Sequence, residues 1–293
     1  MSSPQVILIT GASTGFGRLF AETLARHGHT VFATMRDPQG RNSANAAALR
    51  SIPNVHVLEM DVTDDASVQS AVDSCLHQAG RIDVAINNAG YGLIGLAEAC
   101  TIDQVRQIFD ANFFGAVRVN RAVLPAMRRQ HHGLLLHISS GAGRVVFPGF
   151  GFYCATKFAM EAMAESYHYE LAGEGIESCL VEPGAYKTEI FGRIALASDT
   201  TRADTYGNAA HLSGKMNAIL SANTNDPQQV ADAVQAIVET PAGKRQLRYR
   251  VSAQDLGVDH INSVCAQVQT AVLDRFGLTP DTTFTQSSAA SAS

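Results

Sequence analysis

Ser140, Tyr153 and Lys157 are the residues of this chain whose types and spacing point most directly to chemistry. Tyr153 and Lys157 stand four apart in FYCATKF. Positions i and i+4 share one face of a helix, so the phenol and the ammonium project together. A free tyrosine titrates near pH ~10, too high for a good acid or base at neutral pH. An ammonium one turn away favours the phenolate and is expected to lower that value. Ser140 lies thirteen residues before Tyr153, where the apolar run LLLHI ends. Its hydroxyl would hold a substrate oxygen beside the phenol. The chemistry suggested is proton transfer at an oxygen, coupled to hydride transfer. Amphipathic helices often carry Tyr and Lys at this spacing, so the weight falls on the elements that would position them.

The first such element is the β-branched run VILIT at residues 6–10, which has the length and composition of a buried parallel strand. GASTGFG follows, with Gly11, Ser13, Thr14, Gly15, Phe16 and Gly17, and then a helical pattern. Strand, glycine-rich turn and helix make a cradle in which backbone N–H groups face a phosphate. No Gly-Lys-Ser/Thr follows, so this is not a Walker loop. Residues 30–34 read as a second strand. A dinucleotide fold that takes NAD puts an acidic residue near this strand's end, for the ribose 2′-hydroxyl. Here Met35 and Arg36 stand there. A guanidinium suits a 2′-phosphate and points to NADP(H). Asp37 either belongs to the MRDP turn or keeps NAD(H) as the weaker alternative.

Residues 55–59 form a third expected strand, with Asp61 just beyond it. Asp61 would accept from an adenine amine or cap the helix expected at 66–79. A fourth strand at 82–86 leads into Asn87-Asn88-Ala89-Gly90, where the amides would tie strand ends together, or which would form a simple turn. The stretch 101–129 reads as one long helix opened by a Thr101/Gln104 capping box. Asn112 falls in its middle, where asparagine is unfavourable. It would bend the helix, hold a water near Lys157, or simply face solvent. The Tyr153 helix continues to about residue 171, a further strand covers 176–181, and the last strand covers 248–251. Thr188, after Pro183 and Gly184, would reach a pyrophosphate or carboxamide. Residues 189–225 lack clear periodicity and read as a substrate lid. Asp226-Pro227 restarts a helix. Phe147, Phe150, Phe152 and Tyr186 suggest an apolar or aromatic substrate wall, with core packing as the competing use.

The bulk numbers set bounds on the class of protein. The chain has 293 residues, 46% hydrophobic and 17% charged, which suits one domain over residues 1–282, with 283–293 as a disordered tail. A net charge of −5 gives no reason to expect a nucleic-acid partner. No apolar run is long enough to span a bilayer, and the N-terminus does not read as a signal peptide. Five cysteines without a CxxC pair read as free thiols in a reducing, cytoplasmic setting. Cys154 reads as a packing residue rather than a nucleophile. Ten histidines without HExxH give no expected metal.

Together these motifs resemble the short-chain dehydrogenase/reductase family in its conventional-length branch, over about residues 5–190 and more weakly to about 255. FATMRDP is similar to 17β-hydroxysteroid and retinol dehydrogenase-like members. The resemblance implies an α/β fold: a single doubly wound Rossmann domain with a seven-stranded parallel sheet and helices on both faces. It implies Tyr153 as acid/base, Lys157 lowering its pKa and bonding the nicotinamide ribose, Ser140 rather than Ser139 orienting the substrate oxygen, and Asn112 supporting a proton relay through water. It implies a cofactor set of Gly11, Ser13, Thr14, Gly15, Phe16, Gly17, Arg36, Asp61, Val62, Asn88, Tyr153, Lys157, Pro183, Gly184 and Thr188. The substrate would be a small carbonyl or alcohol, and the assembly a homodimer or homotetramer through the helices carrying Asn112 and Tyr153. Two alternatives stand: a dinucleotide-sensing protein without turnover, and an epimerase or dehydratase on the same fold.

Overall fold

The apolar runs of the sequence pair side by side in a computed structural model that describes residues 3–186 and 194–285. Seven parallel strands form the main sheet: β1 (Val6–Ile9), β2 (Thr30–Met35), β3 (Val55–Glu59), β4 (Val84–Asn87), β6 (Gly133–Ile138), β7 (Ile176–Pro183) and β9 (Arg248–Val251). Their order is β3-β2-β1-β4-β6-β7-β9. A separate parallel pair joins β5 (Leu93–Ile94) to β8 (Ala195–Leu196). Side chains alternate across a strand, and each face of the sheet has its own core. Ile7 and Ile9 pack with Phe20 and Leu24 of α1 (Gly15–Arg26), Leu49 of α2 (Ser43–Arg50) and Val234 of α9 (Gln228–Glu239). Leu8 and Phe32 pack on the other face with Val68 and Val72 of α3 (Asp65–Ala79) and Val119 and Val123 of α5 (Gly115–Gln130). The expected doubly wound architecture is therefore present. Strand order reverses between β1 and β4, and this is where an open α/β sheet leaves a crevice at its carboxyl edge.

The helix expected over 101–129 is three pieces. The Thr101/Gln104 capping box opens α4 (Ile102–Phe109). One π-helical turn, Asp110–Phe114, then widens the backbone before α5. Asn112 lies in that turn and is fully buried, so the solvent-facing alternative is excluded. A π turn keeps the chain helical on both sides, so the stretch reads in the sequence as one helix.

From residue 194 on, the region expected as a lid is folded, and 189–193 lie outside the described residues. It contains α7 (Thr200–Asp204) and α8 (Leu212–Ser221), and β8 straps it to β5. Gln104 fastens the strap, its Nε2 donating to Leu196 O at 2.7 Å and its Oε1 accepting from Ser198 N at 3.2 Å. Of the expected tail, Thr285 N donates to Ala172 O at 3.1 Å, and 286–293 lie outside the described residues.

Helix α6 (Gly151–Glu170) carries Tyr153 and Lys157 and is pinned from behind by a buried ion cluster. Arg248 of β9 lies 2.9 Å from Glu161 and 2.7 Å from Glu165, with Glu182 at 3.6 Å. Glu161 follows Lys157 by one turn. Removing one member of a buried pair leaves the others without compensation, and typically destabilises by about 3–5 kcal/mol. Arg248→Met should lower the unfolding free energy, measured by urea titration, by that amount; an unchanged value would show the cluster to be energetically idle.

Candidate active site

The turn after β1 begins with Gly11 at φ +68°, a conformation that disfavours a side chain. A Cβ there would also come within 2.9 Å of Ala89 Cα. A Cβ on Gly17 would meet Asn88 Nδ2 at 2.5 Å and Gly11 O at 2.6 Å, so the loop can close onto the β4 end only as glycine. Asn88 does the closing: its Nδ2 donates to Thr10 O (2.8 Å) and Gly11 O (3.2 Å), while its own N–H donates to Thr10 Oγ1 (2.9 Å). Asn87 ties β4 chiefly to a helix, donating to Asn120 Oδ1 of α5 at 2.7 Å, with His137 Nδ1 of β6 at 3.3 Å.

Above this junction lies a cleft of about 610 Å³. Of the expected cofactor residues, Gly11, Ser13, Thr14, Gly15, Phe16, Arg36, Asp61, Val62 and Asn88 line it. Thr14 at the start of α1 makes no side-chain cap bond and the first turn has no acidic residue, so the positive end of the helix dipole faces the cleft. Pro183 ends β7 and Gly184 N donates to Val251 O (2.9 Å); neither lines the cleft. Thr188 lies outside the described residues. The sequence reading missed Arg41, Asn42, Thr63, Gly90 and Tyr91 in the lining.

The far end of the cleft carries the charge. Arg36 Nη1 is 4.0 Å from Asp61 Oδ2. Asp37, at φ +48°, turns its carboxylate into its own loop and accepts from Gly40 N and Arg41 N, both at 2.9 Å. These bonds close the turn and hold the Arg41 backbone at the rim. Asp64, not Asp61, caps α3 through Ala66 N and Ser67 N. Burial alone would raise the Asp61 carboxyl, but the Thr63 amide and hydroxyl, with Arg36 and Arg41 nearby, hold it below the usual range. The residues present fit a dinucleotide: a glycine cradle at a helix start for the pyrophosphate, and an Asp61 rim with two arginines for the adenosine end.

Ser140, Tyr153 and Lys157 meet at the carboxyl end of β6. Ser140 Oγ accepts from Ala142 N at 3.1 Å. Lys157 Nζ donates to Ile138 O at 2.7 Å and sits 5.7 Å from the centre of the Tyr153 ring. Here the structure corrects the expected titration. Burial raises Tyr153 to about 12, a hydrogen bond with Ser140 offsets only part of this, and Lys157 is not among the causes. The lysine is itself lowered to about 8 by burial, against the pull of Glu161. Its ammonium is spent on the β6 carbonyl, which helical spacing alone could not show. In this state the phenol is a proton donor.

Asn112 joins the two halves. It exchanges hydrogen bonds of 2.9 Å with the backbone of Tyr91, at the cleft wall, and its Nδ2 lies 3.2 Å from Thr156 Oγ1 on α6. The four rings expected at a substrate wall fall into three packing clusters. Phe150 stacks on Tyr153 with centroids 4.2 Å apart, and Phe147, Ile194 and Met216 pack beside them. Phe152 joins Tyr91 and Leu93. Tyr186 does not belong: it meets Phe16 edge-on at 5.8 Å and donates to Val251 O at 3.2 Å, within the sheet core. Cys154 is buried in the Phe150 cluster and burial pushes its thiol up, as suits packing.

His137 lies behind Asn87, fully buried, its Nδ1 3.3 Å from Asn87 Nδ2. Burial, helped by the Lys157 charge, lowers it to about 3. An unfolded chain protonates this ring near pH 6.5, so the unfolded state binds the extra proton below that pH and stability falls as pH drops toward 3. The expected slope is roughly 1.4 kcal/mol per unit. Urea titrations at pH 7 and pH 5 should differ accordingly in wild type, and less in His137→Gln.

Among the described residues, no helix is long and apolar enough to cross a membrane. The short chain dehydrogenase family model matches residues 5–199. The chain belongs to the short-chain dehydrogenase family. It is thereby an oxidoreductase. It is similar to 3-ketodihydrosphingosine reductase of Bacteroides thetaiotaomicron, 37% identical over 235 residues, covering 80% of this chain and 84% of the relative. It is also similar to human retinol dehydrogenase 8, 35% identical over 266 residues, with 86% and 84% covered. A solved short-chain dehydrogenase from Streptomyces avermitilis superposes with a TM-score of 0.75 at 32% identity, covering 97% of this chain and all of that one.

Proposed function

We propose that this protein is an NADP(H)-dependent oxidoreductase that interconverts a ketone or aldehyde and its alcohol, with Tyr153 as acid/base. The observation that carries the reading is the placement of Ser140 beside Tyr153 and Lys157 of α6 at the end of β6, joined through Asn112 to the wall of a phosphate-cradling cleft. A bound nicotinamide would supply or accept the hydride. Tyr153 gives its proton to the carbonyl oxygen in reduction and takes one back in oxidation, and Ser140 holds that oxygen. Lys157, at about 8, is close enough to neutral pH to exchange protons, and Asn112 fixes the helix on which it stands. Preference for the 2′-phosphorylated cofactor is supported by Arg36 and Arg41 at the cleft rim and by the diversion of Asp37 into its own loop.

The Phe147–Phe150–Met216 wall supports an apolar or aromatic substrate. Exposed Ile102 and Phe114 on the α4–α5 face support assembly as a homodimer or homotetramer there, and five free cysteines support a reducing, cytoplasmic setting. Following nicotinamide absorbance with NADPH and NADH against aliphatic, aromatic and steroid ketones tests the reading. Net NADPH consumption is expected; binding without consumption would replace it with the sensor alternative, and product without net consumption with the epimerase or dehydratase.

A further inference from the structure

Behind Lys157, α6 carries charges that the proposed reaction does not use. Glu161, 2% exposed, stands one turn beyond Lys157, and Glu182 of β7 is fully buried. Both carboxyls converge on one nitrogen: Arg248 Nε is 2.9 Å from Glu161 Oε2 and 3.6 Å from Glu182 Oε1. Glu165 joins through Arg248 Nη2 at 2.7 Å, and Asn262 of α10 (Val258–Phe276) donates to Glu182 Oε2 at 2.7 Å. Glu161 Oε1 and Glu182 Oε1 are buried without a hydrogen-bond partner among the described residues. The loop after β6 packs down on them: a Cβ on Gly143 would meet Ser139 Oγ at 2.8 Å and Glu161 Cγ at 3.0 Å. Arg144 of that loop is a second cation acting on both carboxyls.

The charges do not balance by themselves. Glu161, Glu165 and Glu182 bring three negative charges, and Arg248 and Arg144 bring two positive ones. An uncompensated charge is costly away from water, so the set needs one proton more. That proton can sit on Lys157 or on a carboxyl. The other neighbours do not supply it: Arg250 is paired with Asp259 at 2.7 Å, Tyr169 donates to Glu165 at 3.0 Å, and burial lowers both His137 and His168, which leaves them neutral at pH 7. We propose that Lys157 and the Glu161–Glu182 pair hold one proton in common, and that Glu161 is thereby a positioning residue that keeps Lys157 charged for the reaction at Tyr153. With the proton on Lys157, all three carboxyls are ionised. With an N–H bond of the ammonium broken, the proton is recovered as O–H on a carboxyl. Net charge is zero in both forms, and such groups titrate as a unit. Burial lowers Lys157 to about 8 and raises both Glu161 and Glu182, which brings the two kinds of group toward each other.

The inference rests on Lys157 serving the proposed reaction, but its first test needs no turnover. The chain has four lysines, Lys157, Lys187, Lys215 and Lys244, so their ¹³C-labelled Cε signals can be followed singly in the full chain without substrate or cofactor. Lys157→Met assigns the signal. In wild type it should titrate below the ordinary value of about 10.4. Glu161→Gln should lower the midpoint by about one unit, tenfold in proton affinity, and Glu182→Gln should move it the same way, so either variant carries the test if the other fails to fold. Glu161→Asp, which keeps the charge, should restore most of the wild-type midpoint. Glu165→Gln is the structural control. It also loses a bond to Arg248, but position 165 lies about 12 Å along the helix from Lys157, against about 6 Å for position 161, so its shift should be smaller. The alkaline limb of the reduction rate should follow the midpoint in Glu161→Gln. A midpoint unmoved by the Glu161 and Glu182 variants, or moved equally by Glu165→Gln, would overturn the proposal. A moved midpoint with a stationary alkaline limb would overturn the positioning role. A moved midpoint in a protein that reduces no ketone would support the shared proton and overturn only the activity proposed above.

Discussion

Tyr153→Phe should lose about 10²–10⁴ of kcat, the range expected when a positioned proton donor is removed. The ring stacks on Phe150 and packs with Phe147 and Met216, and phenylalanine keeps all of those contacts. What disappears is one hydroxyl in a site where burial already holds its proton up to about 12. Stability should therefore change little, and NADPH binding, measured by fluorescence titration, should survive because the cleft lining does not include Tyr153. Carbonyl reduction needs the protonated phenol, so its rate should be flat through neutral pH. Unchanged turnover in the variant would remove Tyr153 from the chemistry while leaving the fold assignment in place.

The second large effect concerns the cofactor. Arg36→Asp should shift the NADPH-to-NADH ratio of kcat/KM by about 10² or more. A charge-assisted hydrogen bond contributes about 1.5–3 kcal/mol, and a carboxylate in its place would repel a 2′-phosphate and accept from a ribose hydroxyl instead. Arg41→Ala should produce a smaller shift in the same direction. Its position depends on Asp37 holding the 37–41 loop, so Asp37→Ala should mimic it in part. A ratio unmoved by Arg36→Asp would show that the rim arginines serve Asp61 alone.

How much of this was legible beforehand follows from which interactions are local. The strands, the glycine turn, the Thr101/Gln104 cap and the Tyr153–Lys157 face all rest on neighbours within about one or two turns of chain, and periodicity reports those. The motif order, with an acceptable glycine at each tight approach, was enough to assign the family and the doubly wound sheet. Arg36 was legible because it follows a strand end; Arg41 was not, because only the Asp37 loop brings it to the rim.

Tertiary structure decided the rest. It turned Lys157 toward the Ile138 carbonyl and packed a half-buried Tyr153 against Phe150, reversing the expected direction of the phenol's shift, since desolvation depends on what packs above a residue and not on its spacing. It placed Asn112 in a π turn between Tyr91 and Thr156, sent Tyr186 into the core, and folded residues 195–221 into a strapped pair of helices. Sequence determined the chemical groups, because these are covalent. Only the fold set their charge states and partners, because those depend on contacts between residues far apart in the chain.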